Sequence, residues 1–85
     1  SWAAEGHKSV AILPFTLHAP QDKQYLQEGI RDILGSRISA ETGSVIIPRT
    51  KVTTALQDSG GRLNAKNMGP FAKKLGADYL IYGSI

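Results

Sequence analysis

Two histidines, ten Lys and Arg residues and seven Asp and Glu residues are the groups in this chain that could do acid–base, metal or anion chemistry. There is no cysteine among the 85 residues, so no thiolate nucleophile, disulfide framework or thiolate metal site can form. His7 and His18 fall in an N-terminal stretch and a loop, and no Asp or Glu lies at a helical or hairpin spacing that completes a metal site with either. A Ser-His-Asp hydrolase needs its base oriented by a third group, and neither histidine has a carboxylate partner or a nucleophile elbow in sequence. Both read as surface histidines. Gly60 and Gly61 precede a helical segment, but neither phosphate-binding glycine pattern surrounds them, and a turn explains them better. Gly76 and Gly83 read in the same way as a helix cap and a strand bend.

One position could hold a ligand. Arg49, Thr50 and Lys51 lie where a short apolar segment, SVIIP, ends, and open α/β folds place ligands at the carboxyl ends of their strands. The competing reading is a solvated strand-to-helix turn with Thr50 as cap. A calculated pI near 9.5 raises nucleic-acid binding, which requires basic residues clustered with exposed aromatics. Here Lys8, Arg31, Arg37, Arg49, Lys51, Lys73 and Lys74 are dispersed, and the core is expected to take Phe15, Phe71 and at least one of Tyr79 and Tyr82. The net charge of +3 therefore reads as solubility charge, with no nucleic-acid partner.

The elements that position these groups follow from apolar patterning. At 41% hydrophobic and 20% charged residues the chain has enough apolar content to fold rather than stay disordered, and its length allows one domain. No apolar run is long enough to cross a bilayer, and residues 1–10 lack the apolar centre of a signal peptide; residues 1–8 are expected to form a flexible segment before a domain over 9–85. If the chain is exported, its targeting segment lies upstream. Ser9 to Phe15 (SVAILPF) is continuously apolar, as in a strand covered on both faces. A loop with Pro20 follows, and Asp22 is placed to cap a helix from Lys23 to about Ala40.

In that helix Leu26, Ile30, Ile33, Leu34 and Ile38 recur at three- and four-residue steps, predicting the core-facing side, with Gln27, Arg31 and Asp32 elsewhere. Gly29 lies near the apolar arc, and Gly35 is expected to point away from the core. Gly43 stops the helix. Ser44 to Pro48 reads as a second buried strand, and a short helix carrying Val52, Ala55 and Leu56 follows. Pro70 belongs in the first turn of a helix that begins near Asn67 and ends at Gly76. Tyr79 to Ile85 (YLIYGSI) is the third strand.

The order β-α-β-α-α-β favours parallel pairing with right-handed crossovers. Placing the first strand in the middle, in order 2-1-3, sends the two crossovers to opposite faces and gives an α/β fold of three layers. Three strands leave exposed edges, which expects either further strands or a partner at the sheet margin.

Four segments, VAILPF at 10–15, YLQEGIRDILGSRIS at 25–39, VIIPRTKV at 45–52 and AKKLGADYLIYGSI at 72–85, together resemble the TolB-like amino-terminal domain of bacterial envelope proteins, which is related to the curli-secretion lipoprotein domain. That resemblance implies a fold like anticodon-binding domains, with a five-stranded mixed sheet of which this chain supplies the first three strands. It also implies no catalysis, no cofactor, and protein contacts in the periplasm or cell envelope. Thr16, Leu17, His18, Ala19 and Pro20 stand where many relatives carry Asn and Ser followed by Asp. Arg37 departs too, falling on the apolar arc, where its aliphatic stem is expected along the core edge. The expectation is a non-catalytic protein-interaction domain that pairs with another protein or a second copy through the sheet edge or the Phe15 to Pro20 rim. Phe15, His18, Arg49, Lys51 and Tyr82 are the candidate contacts, with catalytic and metal residues none. The alternative is a small-ligand or nucleotide-sensing crevice near Arg49.

Overall fold

The computed structural model describes residues 7–16, 21–61 and 63–84, with only the backbone at Asp22. His18 and the rest of the rim over 17–20 lie outside the described residues, as does most of the segment 1–8. Strand β1 spans Ser9–Ile12, helix α1 Tyr25–Thr42, β2 Val45–Ile46, α2 Arg49–Asp58, α3 Met68–Leu75 and β3 Tyr79–Ile81. The sheet order is β2-β1-β3, with both pairings parallel. Val10 lies opposite Ile46 on one side and Tyr79 on the other.

SVAILPF is the inner strand its composition indicates. Val10, Ala11, Ile12 and Leu13 are all buried, which requires cover on both faces because alternate side chains point opposite ways. Ala11 and Leu13 enter one cluster with Ile47, Val52, Ala55 and Phe71, formed by α2 and α3. Ile12 points to the other face, where its Cδ1 meets Gly35 of α1. The two crossovers thus cover opposite faces, and the three layers follow.

Helix ends behave as turn chemistry dictates. Gly43 and Gly76 both adopt left-handed φ, at 72° and 73°, and the Gly43 amide donates to the Ser39 carbonyl at 3.0 Å; a side chain at such a φ is strained. Asn67 is the N-cap of α3 and Pro70 sits in its first turn. Other boundaries differ from expectation. The regular strands β1 and β3 begin at Ser9 and Tyr79 as expected but end early: β1 stops at Ile12, where Pro14 cannot donate to the ladder, and β3 stops at Ile81, beyond which a single parallel bridge joins Thr16 to Ser84; β2 is cut to Val45–Ile46. Helix α1 follows a 3-10 turn over Gln21–Lys23, with Gln24 rather than Asp22 at its N-cap. Thr50 is already inside α2, whose N-cap position is Pro48, so it is not the cap.

The largest correction concerns which side of α1 meets the sheet. Arg31 and Gly35, one turn apart, are its buried residues, whereas Ile33 is 64% exposed and Leu26 and Ile30 are exposed as well. An added Cβ at Gly35 would lie 3.3 Å from Ile12 Cδ1 and 3.6 Å from Ile46 Cγ2, while Gly29 has open space. Gly35 therefore allows the close approach, and the roles assigned to the two glycines are reversed. Arg37 does not lie along the core: its side chain is 71% exposed and pairs with Glu41 at 3.3 Å. A helix with apolar residues on two arcs can bury only one against a three-stranded sheet, and the arc with the small residue wins because it brings the backbones together.

Candidate functional site

Strand β1 ends beneath the first half of α1, and β2 ends at the start of α2, so the carboxyl ends of two parallel strands open into one crevice. Its volume is about 630 Å3, and Ile12, Arg31, Asp32, Gly35, Pro48 and Arg49 are among its walls. Arg31 is 5% exposed. Its Nη2 donates to the Ile12 carbonyl at 2.8 Å, and its Nη1 donates to Glu28 Oε1 at 3.3 Å. A buried guanidinium is tolerated only with partners of this kind.

Arg49 reaches back from the first turn of α2 to the same helix. Its Nη1 lies 2.5 Å from Glu28 Oε2, and its Nη2 donates to Asp32 Oδ1. The hydrogen bond to Asp32 raises the Arg49 pKa above its ordinary value; partial desolvation acts against this, and the charges of Glu28 and Asp32 add to the rise. Two arginines and two carboxylates thus form a charge-balanced cluster that fastens α1 to the β2–α2 junction. On the same helix, Gln27 Oε1 is buried without a hydrogen-bond partner.

The sequence-predicted contacts do not come together in this crevice. Arg49 lines it with Thr50, but Lys51 faces a separate depression between α2 and α3 with Thr54, Asp58 and Lys74. Tyr82 lines a third hollow of about 480 Å3 at the carboxyl ends of β1 and β3, with Leu13, Pro14, Leu63 and Met68. Phe15 is half-buried on the strand exit between them. Tyr79 and Tyr82 are 55% and 58% exposed, so the core takes neither, contrary to expectation. Residue pattern missed Arg31, Glu28 and Asp32. The signal for Arg31 was Gly35 one turn later, since a mid-helix glycine lowers helix stability unless close packing requires it.

The sheet margins are open. β1 is the only strand paired with β2 or with β3 among the described residues. Val45 on β2 and Tyr79 on β3 are exposed. Helix α1 leans over β2, and Tyr79 and Ile81, in register with Val10 and Ile12, point to the same face of the sheet as α1. A half-covered apolar shelf therefore runs along β3. No family model, curated protein or solved structure matches the chain.

Proposed function

We propose that this chain is a non-catalytic protein-interaction domain of a bacterial cell-envelope protein, which meets its partner at the β3 margin of the sheet. The observation that supports this is the margin itself: an outer strand with no further strand beside it among the described residues, carrying exposed Tyr79 and followed by exposed Tyr82. Such an edge accepts an added strand, with main-chain hydrogen bonds giving affinity and flanking side chains giving selectivity. The resemblance to TolB-like amino-terminal domains supports the envelope location, and the five-stranded sheet it implies would fill an open edge in the same way. The dispersed basic residues, four of them (Arg31, Arg37, Arg49 and Lys74) already paired with carboxylates, favour a protein over a nucleic-acid partner.

Site-specific photo-cross-linking in producing cells tests the proposal. A photoreactive residue at Tyr79 or Tyr82 gives a discrete protein adduct, and one at Thr53 on the outer side of α2 gives none. Equal labelling from all three positions, or none from any, refutes it.

A second reading has one observation in its favour, the crevice of about 630 Å3 that holds Arg31, Arg49 and Thr50. It would take a small anionic metabolite or nucleotide. Against it, an entering anion has to displace Glu28 and Asp32 from Arg49. A ligand that raises the melting temperature of the wild type but not of Arg49→Ala establishes this reading over the first.

A further inference from the structure

Glu28 stands between two guanidiniums at the mouth of the crevice. Its Oε1 accepts from Arg31 Nη1 at 3.3 Å, and its Oε2 lies 2.5 Å from Arg49 Nη1. Asp32, one turn further along α1, accepts from the Nη2 of Arg49. Positive and negative charges balance in this cluster, so the crevice shows no net charge to an approaching ligand. The fit is nevertheless incomplete. Glu28 Oε2 is shut off from solvent yet makes no well-directed hydrogen bond. Of the five N–H donors of an arginine, the Ile12 carbonyl and Glu28 engage one each on Arg31. Mobility is unequal as well. Arg31 is held in place by its burial, whereas the side chains of Glu28, Arg49 and Asp32 are 44%, 45% and 65% exposed. Exposed ion pairs contribute weakly, so the two carboxylates can swing into water at small cost while Arg31 stays.

We propose, on the reading of this crevice as a ligand site, that Glu28 occupies the place of the ligand's anionic group and that the ligand is a small phosphomonoester. A carboxylate bridging two arginines marks where anionic oxygens sit. A phosphomonoester carries a charge of about −1.5 to −2 at neutral pH, so it replaces both carboxylates and keeps the balance, which a singly charged acid does not. Its terminal oxygens suit the planar forks of Arg31 and Arg49, each able to make two parallel bonds to phosphate. Ser36 and Thr50 also line the crevice, and Ile12 and Ile46 give it an apolar wall for the organic part of the ligand. The carboxylates of α1 are then a built-in competitor. They keep both arginines paired when the ligand is scarce and set the concentration above which it enters.

Isothermal titration calorimetry of the whole chain with inorganic phosphate, at neutral pH and constant ionic strength, tests this. The wild type binds weakly. Glu28→Gln keeps the size of the side chain and removes its charge, and it binds phosphate roughly tenfold more tightly. Asp32→Asn gives a smaller gain in the same direction, and adding Arg49→Ala to Glu28→Gln removes the gain. Glu41→Gln makes the same change of charge in an exposed pair with Arg37 on the same helix and leaves the affinity as it was. Affinity unchanged in both Glu28→Gln and Asp32→Asn, a gain matched by Glu41→Gln, or a gain that survives Arg49→Ala overturns the proposal. If a metabolite stabilises the wild type through Arg49 and Glu28→Gln leaves its affinity unaltered, the ligand reading stands and the competition falls. If no anion responds to Arg49 in any variant, both fall.

Discussion

Replacing Arg31 with methionine isolates the buried cation, because methionine keeps most of the unbranched stem and removes the guanidinium. The hydrogen bond to the Ile12 carbonyl is short, at 2.8 Å, and buried, and a bond from a charged donor contributes roughly 1.5–3 kcal/mol. Its loss also leaves that carbonyl without its charged partner at the exit of the central strand. Relief of the arginine's own desolvation offsets part of this, leaving a net loss of about 2 kcal/mol. A domain of this size holds roughly 4–13 kcal/mol in total, so the loss is large. With a urea slope of about 1 kcal/mol per M for so small a protein, the unfolding midpoint falls by about 2 M. Arg37→Met is the control: its side chain is 71% exposed, and the change should stay within about 0.5 kcal/mol. The reasoning is refuted if Arg31→Met moves the midpoint by less than about 0.5 M, or if Arg37→Met moves it further.

Gly35→Leu places new atoms against Ile12 and Ile46, already at 3.3 and 3.6 Å from an added Cβ; overpacking outweighs the gain in helix propensity, and thermal unfolding registers a net loss of about 2 kcal/mol. Gln27→Leu removes a buried acceptor that lacks a partner and stabilises the fold by about 1 kcal/mol in the same assay; destabilisation means that the amide is satisfied in solution. The raised pKa of Arg49 gives stability that is whole below the ordinary arginine value and is lost only as pH climbs through the elevated one. The difference between wild type and Arg49→Met therefore stays constant through neutral and mildly alkaline urea titrations, and a steady change across that window contradicts the assignment.

Continuous apolar composition was a sound guide at Val10 to Leu13, an inner strand that dictated the 2-1-3 order, but not at Ser44 to Pro48, expected as a second buried strand, where Val45 is exposed and Ile46 half-buried because β2 lies at the sheet margin. Backbone constraints were equally legible, in Pro70 at a helix start and Gly76 beyond its end. The failures on α1 share one cause. Periodicity ranks helix faces by hydrophobicity, and on α1 it selected Leu26, Ile30 and Ile33, although the packed face is set by how closely two backbones can approach at Gly35. Arg31 then becomes buried because a strand-end carbonyl lies within its reach, a tertiary coincidence that no local pattern encodes. The crevice was located from strand direction alone, but its neutralisation by Glu28 and Asp32 depends on the same unforeseen rotation of α1. Lys51 was grouped with Arg49 by adjacency, whereas successive positions on a helix point about 100° apart.

The central strand comes first along the chain and its third-strand neighbour comes last, with Ser9 and Asp78 separated by 69 residues. Closing so long a loop is entropically slow compared with forming the β1-α1-β2 half. During synthesis, which proceeds at roughly 5–20 residues per second, one flank of β1 stays unsealed for several seconds after the strand has left the ribosome. Chaperone capture and aggregation of nascent chains should therefore be most sensitive to changes in Val10 to Leu13, even to those that the finished protein tolerates.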